Sequence, residues 1–347
     1  MRWLALAAAL IPLAVVACRH SSDEEDASKP PPRPIANQVR QETIAFVRRL
    51  DGAPADIFVV SPDGSGLTKV ADDAQRGGEH EDVAPAWSPD GRMIAFVSTR
   101  VPLPSPGALA EEIYVVNADG SDLRRLTQNT RREVAPDWLR DGRVVFLSCP
   151  PSEDEPPKCD LVAVRPDGSE REKLAQLGFT FDLDVAPDGR RIAYSQLEGQ
   201  SHFQHFELHV ADLEGANDRQ LTDDETGDGS PAWSPDGERI VFVSNRAESA
   251  PCFFHDCAGY TNELYVMDAD GSDVTRLTET PHEEGSPSWS PDGTKIVYSR
   301  ILDDDEPQEL WVMNADGTCP TRLVPGRWDM MPDWYGPAGA ASEPLDC

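Results

Sequence analysis

Five carboxylates share one spacing. Asp82, Glu133, Asp228, Glu284 and Asp329 each stand five residues before a tryptophan, at Trp87, Trp138, Trp233, Trp289 and Trp334. A sixth place, before Val185, has Thr180 at that offset and Asp182 two residues later. Acids that recur at a fixed offset in separate segments become neighbours only if those segments gather around one axis. Several carboxylates at close range stay ionised only with water, a cation, arginine partners or a basic ligand group. Hard cations such as calcium prefer oxygen ligands of this kind. The plainer alternative is that each acid caps backbone amides in its own connector. Both readings stand on the sequence alone.

The elements that must position these acids follow from self-similarity. Trp87, Trp138, Val185, Trp233, Trp289 and Trp334 hold equivalent positions, spaced by 51, 47, 48, 56 and 45 residues. Each unit reads as a short strand at the marker residue, two β-branched runs and a short run ending in Leu-Thr. In the unit at Trp87 these are Ala84–Ser88, Met93–Ser98, Glu112–Asn117 and a fourth strand beginning in Leu123–Leu126. Acidic-Gly pairs such as Asp90-Gly91 and Asp119-Gly120 close the hairpins, because Asp bonds nearby amides and Gly takes the left-handed position. The period is that of one four-stranded propeller blade. The chain enters the first unit at its second strand, Thr43–Val47, and leaves at a first strand, Pro332–Tyr335. The two ends therefore complete one blade, which fixes the count at six and removes an open sheet edge.

These residues resemble the WD-like repeats of TolB and related periplasmic propellers over about residues 41–336. The resemblance implies an all-β, six-bladed β-propeller closed between its N- and C-terminal strands, with a tendency toward protein–protein binding. The chain departs from the TolB pattern in having only a tether before the propeller, where TolB has an N-terminal α/β domain. The TolB role is therefore not carried over at this point.

The N-terminus reads as a targeting segment. Arg2 and the apolar run Leu4–Val16 end in Val15-Val16-Ala17-Cys18, which resembles a bacterial lipobox. That implies residues 1–17 as a lipoprotein signal peptide and lipidation of Cys18. Residues 18–40, with prolines 30, 31, 32 and 34, read as an extended tether, and 337–347 as a C-terminal tail. The expected location is the cell envelope, lipid-anchored on the periplasmic side or at the outer membrane.

Six further cysteines suit an oxidising compartment. Cys149 and Cys159 lie at the two bases of one hairpin, Cys252 and Cys257 within the insertion Asn245–Thr261, and Cys319 and Cys347 near the ring closure. They are expected to pair 149–159, 252–257 and 319–347. A metal site at Cys252-Phe-Phe-His-Asp-Cys257 is disfavoured by its spacing. His202, His205 and His209 form a sequence cluster that offers no evident carboxylate partners.

The first–second and third–fourth turns share one face and vary little. The second–third loops, Val101–Glu111, Pro150–Lys158, Gln196–Gln204, Arg246–Asn262 and Ile301–Gln308, vary most on the other, which is therefore expected to be the working face. The acids 82, 133, 182, 228, 284 and 329 are expected just before the innermost strands, around the mouth of the channel.

A net charge of −31 and a pI near 4.4 leave no basic footprint for nucleic acid. No Gly-x-Ser-x-Gly elbow, His-Glu-x-x-His, phosphate loop or dinucleotide fingerprint occurs. The expected function is a membrane-tethered, monomeric, non-enzymatic module that binds an envelope protein, peptide or glycan. It requires no cofactor, with calcium in the central channel as an option. The alternative is a calcium-dependent, lactonase-like hydrolase working at the channel mouth.

Overall fold

The computed structural model describes residues 42–50, 53–70, 80–100, 111–151, 157–198, 205–224, 226–247, 262–302, 308–325, 328–337, 345 and 347. Every regular element among them is a strand, and the strands form six four-stranded antiparallel sheets. The sheets are numbered as blades 1 to 6 around the ring. Blade 1 holds Asp329–Tyr335, Thr43–Arg49, Ala55–Val60 and Thr68–Lys69, in that order from the axis outward. Ile44 lies opposite Trp334 and Thr43 opposite Tyr335, so the last strand of the chain pairs with the first. Six blades and the closure between the two ends are as the repeat predicts.

The remaining blades repeat the plan without a break. Their innermost strands are Asp82–Trp87, Arg132–Trp138, Leu183–Val185, Asp228–Trp233 and Glu283–Trp289 for blades 2 to 6. The core is divided the same way. Six clusters of buried side chains each lie between two adjacent blades. Ala45, Ile57, Trp87, Ile94 and Phe96 join blades 1 and 2. Val97, Ile113, Trp138 and Phe146 join blades 2 and 3. Strand residues alternate between the two faces of a sheet. A run such as Met93–Ser98, buried along almost all its length, therefore feeds both neighbouring interfaces. A full aromatic such as Phe96, with no exposed surface, contributes roughly 2–3 kcal/mol by burial.

All eleven acidic-Gly turn glycines have positive φ, between 66° and 85°. The close approach to neighbouring backbone is found at outer turns. A Cβ on Gly64 would stand 2.6 Å from the carbonyl oxygen of Leu323 in the preceding blade.

The acids lie within the innermost strands rather than before them, which corrects the expected placement. Asp82, Asp228 and Asp329 open their strands, and Glu133 and Glu284 are second residues. The reason is a bulge three residues before the marker. Ala84, Ala135, Ser230, Ser286 and Met331 have φ between 47° and 51°, and the register shifts beside them. A bulge lets the strand continue pairing on its far side. Blade 4 has no such shift, and its innermost strand is three residues long.

Candidate functional site

The expected acidic ring resolves into buried ion pairs. Asp82, Glu133, Asp228, Glu284 and Asp329 are at most 2% exposed. Arg48 donates through Nε and Nη2 to both carboxylate oxygens of Asp329, each at 2.6 Å. Arg100 reaches Asp82 at 2.5 Å, Arg246 reaches Asp228 at 2.7 Å, and Arg300 reaches Glu284 at 2.9 Å. Arg171 contacts Glu133 at 3.2 Å, and Asn129 donates to the same carboxylate.

Each of the four arginines 48, 100, 246 and 300 also lies over aromatic rings of its own blade's second and third strands. Arg100 stacks on Phe96 and Tyr114, Arg246 on Phe242 and Tyr265, and Arg300 on Tyr298 and Trp311. Cation–π contact and a bidentate or near-bidentate carboxylate suit arginine better than lysine. Removing one partner of a buried pair costs about 3–5 kcal/mol, because a charge is stranded without water. Each pair lies within one blade, so these acids brace the first strand of a blade against its own neighbours.

Asp182 is not their equivalent. It is half-buried, accepts the Ser195 amide and hydroxyl at 2.8 and 2.6 Å, and accepts the Ser230 amide of blade 5 at 2.8 Å. Thr180, at the true offset, is fully buried and donates to the Asp182 carbonyl.

The arginine partners escaped the sequence reading. A weak signal existed in Phe96-Val-Ser-Thr-Arg100 and Phe242-Val-Ser-Asn-Arg246, where an aromatic precedes an arginine by four residues.

A second set of acids, which the sequence reading passed over, converges on the axis. Asp333, Asp137 and Asp184 stand immediately before the marker residues of blades 1, 3 and 4. Each accepts the marker's backbone amide in the next blade. Asp333 takes Trp87 at 2.6 Å, Asp137 takes Val185 at 2.7 Å, and Asp184 takes Trp233 at 2.6 Å. Ser288 does the same for Trp334 at 3.2 Å. Where the residue is alanine, the next blade's marker donates through its indole instead. The indoles of Trp138 and Trp289 donate to the carbonyls of Ala86 and Ala232 at 3.0 and 3.1 Å.

Burial raises all three carboxyls: Asp137 to about 7, Asp333 to about 6, and Asp184 well above the ordinary value. Asp333 adds to the rise at Asp137, and Asp137 and Asp333 both add to it at Asp184, so the three sense one another across the channel. Beside them, on the face of the first–second turns, a cavity of about 200 Å³ is lined by Asp184, Asp333, Ser288 and prolines 187, 235 and 291 among others. This is the face opposite the variable loops. The variable loops themselves lie largely outside the described residues, as do residues 1–41 with Cys18, and Cys252 and Cys257.

Cys149 and Cys159 are joined with Cα atoms 4.3 Å apart, and Cys319 and Cys347 with Cα atoms 4.9 Å apart. The histidine reading needs correction. His205 Nε2 lies 2.9 Å from Glu207, and His209 lies 3.1 Å from Asp218 and 3.5 Å from Glu198. Glu207 lies two residues along the same strand, whereas Glu198 comes from the facing strand and Asp218 from the outer turn, which no local window in the sequence shows. His202 lies outside the described residues.

No protein-family model matches the chain. The uncharacterized peptidase YuxL of Bacillus subtilis is 28% identical over 197 residues, which is 55% of this chain and 25% of that protein. The Tol-Pal system protein TolB of Bordetella pertussis is 28% identical over 142 residues, 31% of this chain and 32% of that protein. The chain thus spans a quarter to a third of the length of these two curated relatives. The crystal structure of TolB from Acinetobacter baumannii matches with a TM-score of 0.64 and 20% identity, covering 84% of this chain and 66% of that one. That likeness is one of fold. Six blades, the shared first blade and this structural match together make the chain a TolB-like six-bladed β-propeller.

Proposed function

We propose that the chain is an envelope binding module, lipid-anchored through Cys18, that receives a protein or peptide segment at the mouth of its central channel. The observation that supports this reading is the cavity beside Asp184 and Asp333, with its apolar rim of prolines 187, 235 and 291. Ligand sites are concave and mostly apolar, with a few placed polar groups. Here the polar groups are carboxyls, held by backbone amides at 2.6 Å so that they keep one geometry. Such a mouth suits a segment with an apolar stem and a basic group. The variable-loop face remains a second surface for the same partner or for a glycan.

Calcium at the channel mouth is the alternative, although among the described residues Asp137, Asp184 and Asp333 are not a group whose oxygens lie close enough together to share one ion. A bound ion there would supply positive charge to polarise a carbonyl, as the lactonase-like alternative requires.

The test is capture from envelope extract with the lipidated chain, followed by the D184N/D333N variant. A partner retained by the wild type and weakened at least tenfold by the variant is the expected result. Equal capture by both would remove the channel mouth as the binding site. Metal analysis of the purified chain with and without chelator separates the calcium reading, which fails if no calcium is retained.

A further inference from the structure

The propeller carries an internal template for how its third strands are neutralised. The first acid of each third strand is Asp56, Glu112, Asp160, Glu207, Glu263 or Glu309. In every blade the fourth-strand residue in register stands opposite the position two after that acid: Phe58 faces Lys69, Tyr114 faces Arg125, Val162 faces Lys173, His209 faces Gln220, Tyr265 faces Arg276 and Trp311 faces Arg322. In five blades that residue is a cation bonded to the acid. The distances are 2.9 Å for Lys69–Asp56, 2.8 Å for Arg125–Glu112, 2.6 Å for Lys173–Asp160, 2.9 Å for Arg276–Glu263 and 2.8 Å for Arg322–Glu309.

Blade 4 breaks the template twice in one place. Its fourth-strand residue is Gln220. The Gln220 amide reproduces the bond that Arg125 and Arg276 make through Nε to a threonine carbonyl, donating to Thr222 at 2.7 Å. It has no second, charged arm for Glu207. The connector that follows is the second departure. At its equivalent point blades 2 and 5 have Asn129 and Thr280, which donate to the next blade's acid, Glu133 or Glu284. Blade 4 has Asp224 there, which accepts from Thr226.

The result is Glu207, Asp224 and Asp228 with carboxylate oxygens within 4.8 Å of one another. Arg246 is the cation beside them, 2.7 Å from Asp228 and 3.4 Å from Asp224. Against these three carboxylates stand one permanent cation, Arg246, and one imidazole, His205. Glu207 is fully buried, and its Oε1 receives no hydrogen bond, although His205 Nε2 lies 2.9 Å away. Its other oxygen accepts from Thr222. A buried carboxylate without a counter-charge is costly.

We propose that a hard divalent cation of the calcium or manganese class sits among Glu207, Asp224 and Asp228, in place of the fourth-strand cation that blade 4 lacks. The three carboxylates supply oxygen donors, and such ions complete their shells with water and neighbouring oxygens. The site is at the blade 4–5 junction, at the start of the innermost strand Asp228–Trp233 and thus at the far end of that strand from its turn and from Asp184 and Asp333.

The substitution Gln220→Arg makes the test sharp, because it restores the template without touching a ligand. Chelator-treated full chain is titrated with calcium chloride alone, and separately with manganese chloride, by calorimetry and by thermal unfolding. The expected result is one equivalent bound by the wild type and by D333N, with affinity at least tenfold lower in both E207Q and Q220R. Q220R should also unfold at a higher temperature than metal-free wild type and no longer respond to the ion. Binding of neither ion by the wild type, or equal binding by the wild type and Q220R, overturns the proposal.

Discussion

Residues in this propeller that look alike in sequence do opposite things in the fold. Asp329 and Asp333 lie four residues apart on one strand. Asp329 is gripped by Arg48 on both oxygens, whereas Asp333 faces the channel and accepts amides. Counter-charge decides the difference, and titration exposes it. A carboxyl whose pKa is higher in the folded than in the unfolded chain binds its proton more tightly when folded. Its stabilisation is complete below the unfolded value near 3.8 and is lost as pH rises through the folded value. For Asp333 and Asp137 those folded values are about 6 and about 7. Between pH 4 and 7 they should therefore lower stability with rising pH, by about 1 kcal/mol per pH unit for each group titrating. The turn acids Asp119 and Asp270, held low by Ser121 and Ser272, contribute with the opposite sign, but only below about pH 4. Urea unfolding at pH 4, 5.5 and 7 should show D137N with a shallower decline than the wild type. Parallel slopes would mean that Asp137 is ionised throughout.

Elements owe their boundaries to turn chemistry, yet turns of identical conformation are not equally constrained. Gly168 and Gly317 close third–fourth hairpins with φ of 83° and 85°. A Cβ on Gly168 would meet nothing within 4 Å, while one on Gly317 would stand 2.6 Å from the Leu277 carbonyl oxygen of the preceding blade. Alanine at 168 should cost about 1–2 kcal/mol, the price of the left-handed conformation. Alanine at 317 should cost about 1–3 kcal/mol more, because backbone must move. Denaturant midpoints of the two variants measure the difference, and equal values would show that the outer turns pack loosely. The disulfide between Cys149 and Cys159 acts at the same scale, tying two strands at the base of the loop that joins them.

The whole molecule depends on one seam. Arg48 and Asp329 are 281 positions apart, and their pairing joins the two ends of the chain in blade 1. Without Asp329–Tyr335, the strand Thr43–Arg49 would present an unpaired edge, and the clusters on both sides of blade 1 would lose Trp334, Met330, Met331 and Tyr335. Exposed edges of this kind recruit further strands. A chain ending at residue 327, with Cys319 replaced by serine, should elute as oligomers in size-exclusion chromatography and unfold over a broader, lower range. A monodisperse product with unchanged melting would show that five complete blades stand without the seam.

The sequence by itself determined the six blades, their turns and the closure, because these are local or periodic. Pro-Asp-Gly sets φ within four residues, and a marker every 45 to 56 residues counts units without reference to their contacts. It also located the acids before the markers. It did not determine what those acids meet, since Arg100, Arg246 and Arg300 reach them through strand register and Arg48 reaches its acid across the full chain. Nor did it show that Asp137, Asp184 and Asp333 share one axis, or that Gln220 leaves Glu207 without the fourth-strand cation of the other blades. Those are consequences of placing distant strands side by side, where the low dielectric of a closed ring makes each missing or added charge count.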